Sequence, residues 1–306
     1  MPVSVCIPTC NRPQHVESAL MSVLSQSMEP YEVIIGDDSD DHRTEAVVRE
    51  YEKSPIRYLK NESSLGQAKN VHRLFQEAEG DYIVLLHDDD RLLDGALEAP
   101  LECFEDSPAT VAAYGKQQLT DAAGNVKREA TRSLNRSYYR TAKYEGSSAS
   151  SIRAAVLQQF PNDGYMVRAE AAKQVGYDHP DTGDACDFAF GVELARQSNG
   201  AFYYTDTFTS QYRLSEQSVI RGTGVSDGAY WAVKTVLGRI PDAVRRDPEV
   251  RRWTRERIPV AIMRAAQNGH ARDGLTWYFS RYHRHRIPTL GGLRRLGLLL
   301  YSYLTN

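Results

Sequence analysis

The densest chemistry in the chain lies at His87-Asp88-Asp89-Asp90, directly after the mostly apolar run Asp81–Leu86. Three consecutive carboxylates repel one another and lose hydration together, so a cation or a set of donors must compensate them. The apolar run reads as a strand covered on both faces, and the carboxyl end of such a strand opens on the crevice where α/β sheets bind ligands. Hard oxygen ligands of this kind suit Mg²⁺ or Mn²⁺ bridging a diphosphate. The plain alternative is a solvated acidic turn ahead of the helix near Gly95. A second acidic pair, Asp37-Asp38, ends the run Glu32–Gly36 in the same topological position. A turn with an N-cap would explain that pair alone; two adjacent strands ending in carboxylates at one sheet edge point to a site.

The elements that must position these groups alternate through the first 120 residues. Strands are expected over 3–7, 32–36, 56–59, 82–86 and 111–119, and helices over 13–26, 44–53, 66–78 and 95–105. Short strands alternating with longer helices mean βαβ units and a parallel sheet with right-handed crossovers. Asp121–Asn125 reads as a hairpin turn. Residues 127–151 are polar, rich in Arg and Ser and without period, which predicts a long loop or lid. Helices are expected over 152–160, 169–175 and 188–198, strands over 164–167, 201–205 and 208–213, and helix throughout from about Ser226.

Composition narrows the class. The 306 residues are 41% hydrophobic and 25% charged, which excludes a disordered or fibrous chain. A net charge of −3 argues against a nucleic-acid partner. That value hides an asymmetry: from Arg251 onward eleven arginines meet only Glu256 and Asp273, so the tail carries +9 and the remainder −12. No N-terminal stretch reads as a signal peptide, since Thr9-Cys10-Asn11-Arg12 follows the first apolar residues at once. The run Leu296–Leu304 falls far short of the roughly 20 residues a spanning helix needs. Cys6, Cys10, Cys103 and Cys186 are too few and scattered for a disulfide framework or zinc site. A cytoplasmic protein is expected.

Four blocks in order and spacing, Val5-Cys6-Ile7-Pro8-Thr9-Cys10-Asn11-Arg12, Val33-Ile34-Ile35-Gly36-Asp37-Asp38-Ser39-Asp40, Asn61 with Leu65-Gly66-Gln67-Ala68-Lys69-Asn70, and Leu85-Leu86-His87-Asp88-Asp89-Asp90, resemble family-2 glycosyltransferases of the GT-A fold. The resemblance covers roughly residues 1–220. It implies a Rossmann-like, mostly parallel sheet flanked by helices, with a helical C-terminal extension. It also implies an inverting transferase using a nucleotide-diphosphate sugar, UDP-sugar foremost, and Mn²⁺ or Mg²⁺. Residues 1–120 would form the nucleotide-sugar half, 121–225 the acceptor and catalytic half, and 226–306 a basic helical extension. By the same resemblance Pro8, Thr9 and Arg12 line the nucleotide pocket, Asp38 holds the base, and Gln67 and Lys69 lie near base and phosphates. Asp88 sits nearer ribose and sugar and shares the metal element with Asp90, the direct ligand, while Asp89 approaches the donor sugar.

An inverting displacement needs a base to take the acceptor hydroxyl's proton. Cys186-Asp187-Phe188-Ala189-Phe190-Gly191-Val192-Glu193-Leu194 fits the family's spacing for it, with Asp187 as the base and Asp184 as runner-up. Cys186 replaces the usual first acid and Glu193 the usual Arg. Asp187 would also serve as N-cap of a helix from Phe188. The family's Tyr-Arg-x-His ending is Tyr212-Arg213-Leu214-Ser215 here, with Ser in the His position and Arg213 open to a diphosphate or to a structural ion pair. A nucleotide-sugar-binding protein without catalysis is the alternative reading. A nucleotidyltransferase would want a Gly-rich phosphate loop, and no G-x-G-x-x-G follows the first strand to support a dinucleotide oxidoreductase. The acceptor, whether glycan, lipid-linked or small molecule, has no motif. The basic amphipathic tail suits either the inner membrane face or packing on the domain or a twin subunit.

Overall fold

The structure, a computed structural model, describes residues 1–51, 54–179, 182–214 and 227–305. It separates into two compact units, Met1–His179 with Phe190–Ser218, and Pro180–Ala189 with Val219–Asn306.

The first unit carries strands β1 (Val3–Thr9), β2 (Glu32–Asp37), β3 (Ile56–Lys60), β4 (Tyr82–Leu85), β5 (Arg91–Leu92), β6 (Thr110–Thr120), β7 (Gly146–Ser147), β8 (Tyr165–Arg168) and β9 (Ala201–Arg213). Its helices are α1 (Pro13–Leu24), α2 (Arg43–Arg49), α3 (Gln67–Glu77), α4 (Glu98–Asp106), α5 (Arg128–Ser137), α6 (Ser151–Val156) and α7 (Ala169–Val175), and the chain passes between units within α8 (Cys186–Gln197). One sheet runs in the order β3-β2-β1-β4-β8-β6-β9-β5, with β7 also on β9. Strands β3, β2, β1 and β4 pair in parallel, β8 enters antiparallel to both β4 and β6, and β6 pairs in parallel with β9. This is the mostly parallel, helix-flanked GT-A architecture expected.

Every residue of β1 is buried. Val3, Val5 and Ile7 join Val16, Leu20 and Val23 of α1 in one core. The alternate face meets α3, where the Cys6 thiol lies 3.7 Å from the Leu74 carbonyl. Covering both faces is what allows the strand to be apolar throughout. The approach of α3 explains Gly36: a Cβ there would collide with Asn70 Oδ1 and lie 3.0 Å from Leu74 Cδ2.

Three expectations are corrected. Strands β2 and β4 are not adjacent, because β1 lies between them, and so the end of β1 joins the acidic edge. Residues 201–213 form one strand, whose polar stretch near Asp206 passes through register shifts against β6. Such irregularities bend a strand without ending it. Residues 127–151 are not a long aperiodic loop, for α5 occupies Arg128–Ser137. Its inward residues are Thr131 and Asn135, polar groups one turn apart, so apolar periodicity is absent. Thr131 Oγ1 accepts from the Leu119 amide at 2.9 Å; Asn135 accepts from the Gln117 amide at 3.1 Å and donates to its carbonyl at 2.8 Å. Here β8 has ended, since its pairing with β6 covers only Ala112–Tyr114, and the side chains satisfy an otherwise open strand edge.

The second unit is helical: α9 (Gly228–Arg239), α10 (Asp242–Arg245), α11 (Pro248–Gln267), α12 (Ala271–Tyr278) and α13 (Leu290–Thr305), after a 3₁₀ turn at Gly183–Ala185. Phe188 stacks on Trp253 at 5.5 Å, and Tyr230 on His270 at 4.5 Å. Among the described residues no helix is long and apolar enough to cross a membrane.

Replacing Asn135 by Leu leaves the Gln117 amide and carbonyl buried without this partner. Equilibrium urea unfolding should then show a loss of about 2–4 kcal/mol; an unchanged midpoint would mean that α5 is held by something other than these bonds.

Candidate active site

The acidic edge is built by three neighbouring strand ends and one strand start. Asp37 and Asp38 close β2, Thr9 closes β1, and Asp88–Asp90 follow β4. Because β8 runs antiparallel to β4, Asp163, two residues ahead of it, comes to the same edge, with the Gly164 amide on the Leu85 carbonyl.

Asp38 is saturated by donors. Its Oδ1 accepts from Asn61 Nδ2 at 2.7 Å and the Leu65 amide at 2.9 Å, and its Oδ2 from Ser64 Oγ at 3.1 Å and the Gly66 amide at 2.7 Å. These bonds fix the loop ahead of α3, where Gly66 adopts φ +77° at the helix start. Asp37 is wholly buried and accepts from Tyr58 Oη at 2.5 Å, from the Ser39 amide and hydroxyl, and from Lys60. Burial and the Asp37 carboxylate push the Tyr58 phenol upward, so it stays protonated as a donor.

Asp88 is held from two sides. Thr9 Oγ1 donates to it at 2.7 Å and Arg12 at 3.1 Å; the same Arg12 nitrogen lies 3.4 Å from Asp89. Burial pushes the Asp88 carboxyl up, with Arg12 and Thr9 acting against that rise. Asp90 is less well served. Its Oδ1 accepts the Arg213 amide at 2.8 Å, while its buried Oδ2 meets no N–H or hydroxyl donor among the described residues and has only the Asp163 carboxyl as a hydrogen-bonding neighbour. Burial first, then the negative charges of Asp163 and Asp89, raise the Asp90 carboxyl well above its usual value. Asp163 accepts from the His87 amide at 3.2 Å and from Gln117 Nε2 at 3.1 Å. Gln117 Oε1 in turn accepts from Arg140 at 2.7 Å, a buried guanidinium pulled down to about 10 by desolvation.

One ligand atom each from His87, Asp89 and Asp90 lie within 4.8 Å of one another. Two carboxylates, one of them Asp90 with its donor-free buried Oδ2, and an imidazole fit a divalent cation.

The structure thus brings Pro8, Thr9, Arg12, Asp38, Asp88, Asp89 and Asp90 to one edge, Pro8 buried in β1 opposite Gly36. Gln67 and Lys69 are exposed at the start of α3. Asp184 and Asp187 belong to the second unit. There Asp184 Oδ2 accepts the Asp227 amide at 3.0 Å. Asp187 is the second residue of α8 rather than its N-cap, because the helix starts at Cys186 on the preceding 3₁₀ turn. The Cys186 thiol is 3.7 Å from Asp187 Oδ1 and is pushed up by burial and then by that carboxylate. Ser215 lies outside the described residues. Arg213 contributes its backbone amide to Asp90, and its guanidinium reaches Ser18 Oγ at 3.4 Å. Asp163, Gln117 and Arg140 escaped the sequence reading. The one available signal was a carboxylate next to the apolar strand start at Gly164.

A family model, Glycosyl transferase family 2, matches residues 4–159, just over half of the chain. The chain belongs to glycosyl transferase family 2. Among its family relatives, the GalNAc(5)-diNAcBac-PP-undecaprenol beta-1,3-glucosyltransferase of Campylobacter jejuni is 28% identical over 166 residues, 51% of this chain and 53% of that protein. The Escherichia coli UDP-Glc:alpha-D-GlcNAc-diphosphoundecaprenol beta-1,3-glucosyltransferase WfgD is 30% identical over 96 residues, 31% of this chain and 38% of that one. An uncharacterized Mycobacterium tuberculosis protein is 34% identical over 117 residues, 38% of this chain and 36% of its own. The matches span from about a third to a half of these relatives. The fold is similar to that of S. aureus TarS 1–349 in complex with UDP-GlcNAc, with TM-score 0.63 and 16% identity over 99% of this chain and 81% of that one. It is also similar to the mannosyltransferase PcManGT of Pyrobaculum calidifontis in complex with GDP-Man and Mn²⁺, with TM-score 0.59 and 14% identity over 99% and 86%. Within the family-2 match fall Thr9, Arg12, Asp38, Asp88–Asp90, Gln117 and Arg140; Asp163 and Arg213 lie beyond it.

Asp38→Asn keeps the shape but puts an amide N–H against backbone donors. Hydrogen exchange at the Leu65 and Gly66 amides should accelerate about ten- to hundredfold, the scale of losing charge-assisted bonds. Unchanged exchange would remove Asp38 from the role of loop clamp.

Proposed function

We propose that the chain is an inverting, metal-dependent glycosyltransferase that moves a sugar from a nucleotide-diphosphate sugar, UDP-sugar foremost, to an acceptor hydroxyl. The observation that carries this reading is the convergence of Thr9, Arg12 and Asp88–Asp90 at one sheet edge in a chain of family 2. Residues 1–120 would form the donor side and 121–225 the acceptor side. The Campylobacter and Escherichia relatives, by name both glucosyltransferases onto undecaprenol-linked diphosphates and one using UDP-Glc, support a UDP-sugar donor and a lipid-linked glycan acceptor.

In this reading Pro8 and Thr9 line the nucleotide pocket, and Gln67 and Lys69 approach the base and phosphates. Asp38 shapes the base-side loop through the four bonds it accepts. Asp88, clasped by Thr9 and Arg12, sets the ribose side and holds Arg12 where its charge serves the phosphates. Asp90, with Asp89 and His87, would hold Mn²⁺ or Mg²⁺, which when bound supplies positive charge to the diphosphate leaving group. Asp187 takes the acceptor hydroxyl's proton as the acceptor oxygen bonds the anomeric carbon and the sugar–phosphate bond breaks, the electron pair leaving with the nucleotide diphosphate. Asp184 is the second choice for that role.

Incubating the protein with UDP-sugars, Mn²⁺ and lipid-linked or free glycans, with product anomericity read by NMR, tests the reading directly. Binding of UDP-sugar without transfer or hydrolysis under any condition would favour the non-catalytic binder instead.

Asp90→Asn should abolish the Mn²⁺-dependent gain in UDP affinity measured by calorimetry. The metal-free variant should melt higher, because an amide N–H can donate to Asp163 and one buried charge is gone. A variant that keeps its Mn²⁺-dependent affinity would overturn the metal assignment.

Asp187→Asn should lower kcat by on the order of 10²–10⁴ with donor Kd nearly unchanged. Asp184→Asn should be much milder; the reverse order would move the base to Asp184.

A further inference from the structure

Helix α13 turns its apolar face outward. Leu299 is fully buried, seated where a Cβ on Gly274 of α12 would collide with it. On the opposite side Leu290, Leu293, Leu300 and Leu304 are 88%, 60%, 46% and 82% exposed, and Tyr301 is 71% exposed. At about 100° per residue these five side chains share a single arc of roughly 100°, interrupted only by Gly297 and bordered by Arg294. A surface helix ordinarily fills that arc with polar groups. Scattered exposed leucines need no explanation, but a continuous apolar stripe along a whole helix marks an interaction site.

The charge around the stripe selects the partner. After Asp273 the chain holds no Asp or Glu, while Arg281, Arg284, Arg286, Arg294 and Arg295 all fall in that stretch. Arg284 and Arg294 are exposed, and neither they nor Arg286 form an ion pair among the described residues. A two-fold contact between copies through this face would set one acid-free, basic segment against another, which like-charge repulsion disfavours. An anionic bilayer answers both features, since its acyl boundary takes the leucines and its headgroups take the arginines. Tyr301 and the half-exposed Tyr303 have the amphipathic rings favoured at that depth.

The geometry points to α13 as a peripheral membrane-docking helix that lies in the interface of an anionic bilayer on its Leu290–Leu293–Leu300–Leu304 face. This inference rests on the second unit alone and is independent of the transferase reading.

The test mixes the full chain with sedimentable vesicles of phosphatidylcholine, with or without phosphatidylglycerol. The protein should pellet with the anionic vesicles, and raising salt should release it. Leu293→Ser/Leu300→Ser/Leu304→Ser should weaken partitioning by about tenfold or more. Arg284→Gln/Arg286→Gln/Arg294→Gln should do so by a similar factor, on anionic vesicles only. The changed leucines are exposed, so Tm should hold; if the serine variant melts low, the arginine variant and the salt series decide alone. Equal binding to both vesicle types, binding to neither, or partitioning unchanged in both variants would overturn the proposal. A concentration-dependent dimer in sedimentation equilibrium, dissolved by the serine substitutions and accompanied by no vesicle binding, would assign the face to a second copy instead.

Discussion

The site is governed by the cost of gathering carboxylates at one dry sheet edge. Asp37, Asp38, Asp88, Asp90 and Asp163 are all buried, and Asp89 lies among them half-buried. Uncompensated, such a group would be protonated or would unfold the edge. The surrounding structure can be understood as the distribution of donors among these groups. Asp38 receives four hydrogen bonds, Asp37 is bonded by Tyr58, Ser39 and Lys60, and Asp88 is held by Thr9 and Arg12. Asp90 receives one, from the Arg213 amide, and keeps a buried oxygen without a donor. Compensation is therefore nearly complete away from the β4 end and incomplete at Asp90. The least compensated carboxyl of the edge lies beside Asp89 and His87, the residues whose ligand atoms gather with its own.

Topology makes this distribution workable. The parallel strands β1, β2 and β4 deliver their carboxyl ends to one edge, and antiparallel β8 brings its start there. Asp163 consequently meets Asp90 across the sheet, and the Gln117–Arg140 pair reaches Asp163 from β6 and the segment after α5. The buried guanidinium of Arg140 also donates to the Gln159 and Gln158 carbonyls at 2.8 and 3.1 Å, so its position is over-determined. A charge fixed in that way can act on the acidic edge without reorganising. The polar docking of α5 serves the same end, because it completes the β6 edge from which Gln117 projects.

The elements and the acidic edge were legible along the chain. Apolar strand runs and amphipathic helices report burial locally, and a carboxylate cluster after an apolar strand reports a sheet-edge site by position alone. For that reason β1–β4, α1–α4 and the acidic residues Asp37, Asp38 and Asp88–Asp90 could be read before any coordinates, whereas Thr9 and Arg12 came from the resemblance to family-2 glycosyltransferases. Helix α5 was hidden because its inward residues, Thr131 and Asn135, are polar; hydrophobic periodicity is blind to a helix docked by hydrogen bonds. Strand β9 was split in the reading because its polar middle resembles a turn, although β6 pairs with it on both sides of the irregularity.

By itself, then, the sequence determined the alternating βα half, the acidic edge with its Asp88–Asp90 element, and the basic, acid-free tail. Only the tertiary structure decided that β1 separates the two acidic strand ends, that Asp163 joins them, and that Arg12 clasps Asp88 while Asp90 keeps an oxygen without a donor. It alone decided that α13 buries Leu299 and leaves Leu290, Leu293, Leu300 and Leu304 outside. The physical reason is common to all of these. Local patterns state how apolar or charged a segment is, whereas the partner of a buried charge, and the face a helix presents, are set by groups tens of residues away that the chain brings together only on folding.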